Sequence, residues 1–175
     1  MLRIDGSQLE GGGQIVRAAV ALSAVTGTPV EVVSIRKKRP RPGLANQHCA
    51  AVRAVALACE ARVTGNVPGS ARLSFIPGPI VCSDISVDVG TAGSIPLVLQ
   101  AWLPVALEKG GSLQVQGGTE VQFSPTIDYF TEVFLPVLGP AGTGVQVDIL
   151  RRGYYPTGGG VVRITVEPAA IPRIT

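Results

Sequence analysis

Eight consecutive residues, Glu10-Gly11-Gly12-Gly13-Gln14-Ile15-Val16-Arg17, contain the parts of an anion site. Three glycines stand directly ahead of an apolar, helix-forming run. Glycine lets a backbone approach a ligand closely, and the first turn of a helix presents unpaired N–H groups that favour anions. Gln14 and Arg17 stand at i and i+3, so they share a helix face near that end. On one reading the stretch holds a polyanion such as phosphate, with Glu10 placed to take a divalent cation. On the other it is a glycine-rich turn that lets a helix pack tightly, with Arg17 simply solvated. The stretch alone does not separate the two. It is not a P-loop, because no Gly-Lys-Ser/Thr follows, and it lacks the spaced glycines of a dinucleotide fingerprint.

Other candidates are spread along the chain. Arg36, Lys37, Lys38, Arg39 and Arg41 gather five of the 15 basic residues into one short segment, although the net charge is only +3. Such a block suggests nucleic acid or nucleotide, against the alternative of a solvated loop. Aromatic residues make up 5% of the chain and none interleaves with the block, which argues against a base-stacking platform. Gln100 is the one strongly polar side chain in the apolar run 95–107. An amide buried there costs roughly 1–3 kcal/mol unless a ligand or a neighbouring backbone group meets it. His48, the single histidine, reads as a hydrogen-bonded residue at a helix start, and no Ser/His/Asp set is present. Gly117-Gly118-Thr119 is a second anion nest or an ordinary strand-end turn. The cluster from Gly153 to Gly160 reads as a flexible hairpin loop.

The elements that must position these residues follow from periodicity and breakers. A short strand at 2–5 precedes a helix at 13–26, apolar nearly all round and stopped by Gly27. A strand at 30–35 leads through the basic segment to a helix at 46–61, with Asn46 as its N-cap. Strands near 62–64 and 72–76 close the first unit. The order then repeats: a strand at 84–89, an apolar helix at 95–108 with Pro104 expected to kink it, a strand at 112–116, a helix at 126–138 of 3.6 period, and strands at 145–150 and 161–167. Shifting the chain so that Asp5 falls on Asp88 also places Gly27 on Gly110, Val30-Glu31-Val32 on Leu113-Gln114-Val115, and Arg17 on Gln100. The expected fold is α/β of the α+β type: tandem βαβαββ repeats at 1–80 and 81–168, each with two helices on a four-stranded sheet, and a tail at 169–175. One such layer pair leaves a face uncovered, so the units should pack on each other. If Arg17 and Gln100 are equivalent, both point to one central site.

Composition excludes several classes. The chain has 175 residues, 46% of them hydrophobic and 15% charged, which suits a large core and excludes disorder for most of its length. No run is both long enough and free of Gly, Pro and charge to span a bilayer. The start carries no signal-peptide pattern. Cys49, Cys59 and Cys82 form no CxxC pair and read as buried thiols in a reducing cytoplasm.

Five motifs in order resemble the RNA 3′-terminal phosphate cyclases: Glu10 to Arg17; Ile35-Arg36-Lys37-Lys38-Arg39 with Pro42-Gly43-Leu44 and Gln47-His48; Gly93-Ser94 with Leu97-Val98-Leu99-Gln100; Gly117-Gly118-Thr119; and Arg152 to Gly160. The resemblance implies use of ATP and a divalent cation, Mg or Mn. It implies transfer of AMP through an enzyme histidine to an RNA 3′-phosphate, and closure to a 2′,3′-cyclic phosphate. Glu10 then matches the metal-contacting acid. Gln14, Arg17 and Gln100 join Glu10 in holding the nucleotide, and Arg17, Arg36, Arg39 and Gln47 form the catalytic set on the phosphates. Family chains are about twice this length, with a small inserted domain and a third repeat that carries the nucleotide-accepting histidine. The chain therefore reads as an N-terminal two-repeat portion, inactive alone, located in the cytoplasm, with RNA 3′-phosphate ends as partners. A missing repeat should expose apolar surface, which favours a homodimer or a partner that supplies the repeat. The alternative is a non-catalytic, cyclase-like RNA-binding protein of ribosome assembly.

Overall fold

Alternation of short strands with apolar helices builds one unit twice. The structure is a computed structural model that describes residues 1–81, 83–139 and 144–168. Cys82 and the tail 169–175, both read above from sequence, lie outside the described residues. The first unit runs β1 (Leu2–Asp5), α1 (Gln14–Thr26), β2 (Val30–Val33), α2 (Asn46–Ala58), β3 (Arg62–Thr64) and β4 (Leu73–Ile76). The second runs β5 (Ile85–Asp88), α3 (Ile95–Lys109), β6 (Gly111–Gly117), a fourth helix, then β7 (Val145–Arg151) and β8 (Gly160–Val166). The sheets are ordered β1-β2-β4-β3 and β5-β6-β8-β7. In each, the first pair is parallel and the others antiparallel. This is the tandem βαβαββ arrangement expected from the repeat.

The duplication extends to single hydrogen bonds. Leu2 stands opposite Val30 in the first sheet and Ile85 opposite Leu113 in the second. The Gly6 N–H donates to the Val33 carbonyl at 2.7 Å, and the Val89 N–H to the Gln116 carbonyl at 2.9 Å. Asp5 Oδ1 accepts the Ser7 N–H at 2.9 Å, and Asp88 Oδ1 the Gly90 N–H at 2.7 Å. Each aspartate thus closes the same side-chain turn and aims the chain toward its first helix.

The two units share one core. Strand alternation points Val30, Val32, Leu73 and Phe75 inward, fully or almost fully buried, while Glu31 and Ser74 keep some exposure. α2 is the centre of the packing: it lies against α1 of its own unit and α3 of the other. Its buried side includes Ala50, Ala51, Ala54 and Ala58. These small side chains let neighbouring helices approach closely from more than one direction. α1 is less enclosed than its sequence suggests, since Ala18, Leu22 and Val25, at i, i+4 and i+7, are exposed.

Boundaries moved where local chemistry intervened. α2 is capped at Ala45 rather than Asn46, and its last helical residue is Ala58 rather than 61. The helix expected at 126–138 is α only at Ile127–Tyr129 and Leu135–Leu138, with a π turn at Phe130–Phe134 between. Pro136 has no N–H to give to the carbonyl four residues back, and the turn ahead of it widens so that the Leu135 N–H reaches the Phe130 carbonyl. The widened turn keeps the Phe130 and Phe134 rings stacked at 5.2 Å.

Crowding around α2 can be measured. Ala54→Leu should lower stability by about 1–3 kcal/mol through overpacking, whereas Leu57→Lys, on the exposed side, should stay within about 0.5 kcal/mol. Urea denaturation of both variants tests this, and equal losses would contradict the placement of α2.

Candidate functional site

The glycine stretch is placed by three neighbours. Asp5 turns the chain out of β1, Gly11 closes a tight turn with its N–H on the Gln8 carbonyl at 2.8 Å, and Gly13 caps α1. No side chain caps this helix end. Among the described residues the N–H groups of Gly12, Gly13 and Gln14 have no acceptor. The end therefore keeps open donors together with the positive pole of the helix dipole.

Gly13 has ordinary helical dihedrals, φ −65° and ψ −12°, so its lack of a side chain answers to space alone. A Cβ there would lie 1.9 Å from His48 Nε2. The imidazole is fixed from its other side, where Nδ1 accepts the Ala45 N–H at 2.9 Å and so caps α2. His48 is thus the hydrogen-bonded helix-start residue read from sequence, and it also locks the start of α2 against the start of α1.

Cations surround this junction. Arg17 and Arg36 lie near enough to act on His48 by charge. Burial first, then those two guanidiniums, pushes the imidazole down to about 4, so it is neutral at pH 7. Burial also lowers Arg17, and burial followed by Arg39 lowers Arg36. Arg36 Nη1 donates to the Gly43 carbonyl at 2.8 Å, and Arg39 Nη2 reaches Glu10 Oε2 at 3.2 Å. Arg39 also approaches Gly12, with Nη2 3.6 Å from where a Cβ would stand. Arg17 is half-buried yet makes no hydrogen bond or ion pair with any described residue. A guanidinium cannot shed its proton at neutral pH, so it favours any anion that enters.

The equivalent loop of the second unit is built differently. Gln47 Oε1 accepts the Ser94 N–H at 3.1 Å across the unit boundary. Ser94 Oγ accepts the Leu97 N–H, the Ile95 N–H donates to the Gly118 carbonyl at 2.9 Å, and Pro96 has no donor. The donors at the start of α3 are therefore spent. Gly117-Gly118-Thr119 is a strand-end turn and not a second anion nest, because the Gly118 N–H is given to Gly93 and the Thr119 N–H to Gly153. The Gly153–Gly160 segment is likewise no free hairpin loop. Its Gly158, at φ 74°, packs where a Cβ would lie 2.8 Å from the Ala92 Cα. Arg152 ties it to Asp128 at 2.7 Å and Glu120 at 2.6 Å.

Glu10, Arg17, Arg36 and Arg39 are thus gathered around the Gly12–Gly13 backbone and His48, and Gln47 braces the neighbouring loop. Gln14 is exposed at the first position of α1. Gln100 is half-buried rather than fully buried on α3, and it makes no hydrogen bond with a described residue. What sequence reading missed is the role of His48 as the wedge between helices. The available signal was a glycine at a helical position that alanine would suit better.

Three guanidiniums gather here, and one of them, Arg39, is paired with Glu10, so the arrangement can bind a multiply charged anion. Among the described residues no group of three or more His, Cys, Asp or Glu gathers to hold a metal ion. Glu10 by itself fits a different donor set: its carboxylate is exposed and engages Arg39 through Oε2. An ion such as Mg²⁺ commonly takes one or two carboxylates and completes its shell with phosphate oxygens and water.

The fold and site define a tandem-repeat α/β protein with open backbone donors and clustered guanidiniums at a helix start. Comparison with known proteins gives the family. The family described as RNA 3′-terminal phosphate cyclase matches residues 8–175, and the chain belongs to it. Relatives named RNA 3′-terminal phosphate cyclase include one from Caldivirga maquilingensis, 50% identical over 172 residues, covering 97% of this chain and 49% of the relative. One from Methanosarcina acetivorans is 52% identical over 174 residues, covering 98% and 49%. One from Nitrosospira multiformis is 49% identical over 170 residues, covering 96% and 48%. The chain spans about half the length of these relatives. Among the described residues no helix is long and apolar enough to cross a membrane.

Two measurements test the junction. Gly13→Ala should cost about 1–3 kcal/mol because His48 cannot yield without uncapping α2, whereas Gly12→Ala should be nearly neutral. Equal unfolding midpoints in urea would contradict the contact. The second concerns pH. His48 stays neutral in the folded state down to about 4, while the unfolded chain takes up its proton near 6.5. Folding stability should therefore fall as pH drops from about 6.5 to 4, by up to roughly 3 kcal/mol. In His48→Asn, whose Oδ1 can still accept the Ala45 N–H, that slope should flatten. An unchanged slope would assign it to other groups.

Proposed function

We propose that this chain carries the phosphate-handling part of an ATP-dependent RNA 3′-terminal phosphate cyclase. The observation that carries the reading is the half-buried, unpaired guanidinium of Arg17, beside the open N–H groups of Gly12, Gly13 and Gln14. In this reading those N–H groups and Arg17 hold the phosphates of ATP. Arg36 and Arg39 neutralise charge on the RNA 3′-phosphate, and Gln47 keeps the α3 loop in place beside them. Glu10 would hold a divalent cation, Mg or Mn, whose contribution is to polarise phosphate oxygens and offset the charge on the leaving pyrophosphate. Gln100, its amide free of described partners, is assigned to the same nucleotide.

The overall reaction moves AMP from ATP to the RNA 3′-phosphate with release of pyrophosphate. The neighbouring 2′-hydroxyl then attacks the activated phosphorus, AMP leaves, and a 2′,3′-cyclic phosphate closes. His48 is not suited to carry AMP between these steps. Its Nδ1 is committed to the cap of α2 and its Nε2 is pressed against Gly13. The adenylyl-carrying histidine is therefore assigned to chain outside residues 1–175, and the two repeats alone are proposed to be inactive. The exposed apolar sides of α1 and the fourth helix, with Leu22 61% and Val137 74% exposed, support this. A further repeat or a second copy would cover them. That the matched relatives bear the cyclase name does not favour a non-catalytic, ribosome-assembly role.

Calorimetric titration tests the reading. The chain should bind ATP in the presence of Mg²⁺, and Arg17→Ala should weaken binding about 10- to 100-fold by removing charge-assisted hydrogen bonds of roughly 1.5–3 kcal/mol. No protein-bound label should form with α-labelled ATP. Wild-type affinity in the variant would overturn the assignment of Arg17, and a stable AMP adduct would overturn the proposed inactivity.

A further inference from the structure

We infer that a second phosphate subsite lies on the far side of the basic loop. It is a cleft of about 440 Å³ whose lining includes Arg3, Ser34, Lys37, Pro42 and Arg72. Its occupant is the sugar–phosphate backbone of a single RNA strand, upstream of the 3′ end. The inference rests on the reading that the chain handles RNA 3′-phosphates, and it adds where the rest of the strand runs.

The charge is net positive. Arg3 and Glu31 are register partners on β1 and β2, and strand alternation turns both away from the inward-facing Val30 and Val32. Glu31 stands between Arg3, at 3.7 Å, and Arg72, at 3.6 Å. At those distances it orients the two guanidiniums without consuming them. Lys37 adds a third cation and is exposed. Glu31 offsets part of the charge of Arg3 and Arg72, and Asp5 lies near enough to feel Lys37, so three cations stand against two carboxylates and the cleft keeps a net attraction for anions.

The backbone of the basic loop explains how one run of cations serves two places. Ser34 at φ 54° and Arg36 at φ 51° are both in the left-handed region, which non-glycine residues seldom enter. The loop is held there by the Ile35 N–H on the Ala71 carbonyl, 3.0 Å, and by the Gly43 N–H on the Ile35 carbonyl, 2.9 Å. As a result Arg36 and Arg39 belong to the glycine junction, while Lys37, between them in sequence, lines the cleft. A polyanion bound at the junction therefore meets the cleft by crossing a single loop. No aromatic side chain lines the cleft, so it suits phosphates rather than bases, and binding there should be independent of sequence.

The test is equilibrium binding of fluorescent RNAs of about four or about fourteen nucleotides, each ending in 3′-phosphate or 3′-hydroxyl, to wild type, Lys37→Ala and Lys37→Ala/Arg72→Ala. The double variant should bind the long RNA about tenfold more weakly, bind the short RNA within about twofold of wild type, and lose about 1.4 from the slope of log affinity against log salt, or 0.7 per phosphate contact. Lys37→Ala alone, far from any sheet hydrogen bond, should lose about half of that slope, which guards against a folding defect at Arg72. Preference for 3′-phosphate over 3′-hydroxyl should be unchanged in both variants. Unaltered long-RNA affinity and salt slope would overturn the cleft. Absence of 3′-phosphate preference in wild type would instead overturn the reading of the glycine junction, while a length-dependent loss in the variants would still uphold the cleft. A poly-glutamate peptide that displaces the long RNA as well as unlabelled RNA does would overturn RNA as the occupant.

Discussion

The start of α2 is wedged between two glycine loops, and the rest of the structure depends on that wedge. His48 closes the helix cap through Nδ1 and presses its other ring nitrogen against Gly13. One residue earlier, Gln47 accepts the Ser94 N–H of the second unit. Two neighbouring side chains thus set where α1 and α3 begin relative to α2. A larger residue at position 13 would prise this apart, and so would charging the imidazole, which burial, Arg36 and Arg17 all oppose. Positive charge can accumulate around the junction because His48 is held neutral and the helix ends are fixed.

Duplication supplied two similar loops, and the structure uses them for different purposes. In the first unit the helix start lacks a side-chain cap and its leading N–H groups lack acceptors. In the second unit Ser94 caps the helix, Gln47 and Gly118 take up the remaining bonds, and Pro96 offers none. One loop therefore keeps its hydrogen-bonding capacity open, and the other is a brace that holds α2 in place. The same asymmetry separates Arg17 from Gln100 at matching positions of the repeat: a permanent cation sits behind the open loop and a neutral amide behind the closed one. Backbone donors at a fixed helix end lose little freedom on binding, which suits recognition of a phosphate chain.

Much of this was legible in the sequence. The repeat could be read because Leu2, Gly27 and Val30 keep the same spacing as Ile85, Gly110 and Leu113, although α3 and β6 are longer than α1 and β2, so Asp5 and Asp88 align and make the same turn. Glu10, Arg17, Arg36 and Arg39 were legible as a set because charge in so apolar a chain is sparse and its clustering stands out. Contacts between units were not legible. Nothing local to Gln47 says that it will bond Ser94, since that depends on how the two units come together, whereas the Gly118 N–H is spent on Gly93 inside the second unit, just beyond the parallel pair β5 and β6. The π turn was hidden for a different reason: the apolar period through Phe130 and Phe134 is helical, and the missing N–H of Pro136 does not by itself signal a widened ladder, since Pro104 sits inside α3 without one. The split of the basic run between two faces was also hidden, because it follows from left-handed backbone at Ser34 and Arg36 that their residue types do not advertise.

The central claim is that the junction of Gly12, Gly13 and Arg17 receives a phosphate chain. A crystal structure of the protein with a non-hydrolysable ATP analogue and Mg²⁺ tests it most directly. The account expects triphosphate oxygens within hydrogen-bonding distance of the Gly12 and Gly13 N–H groups and of the Arg17 guanidinium, with His48 still against Gly13. A triphosphate bound elsewhere, with Arg17 left without a phosphate contact, would contradict it.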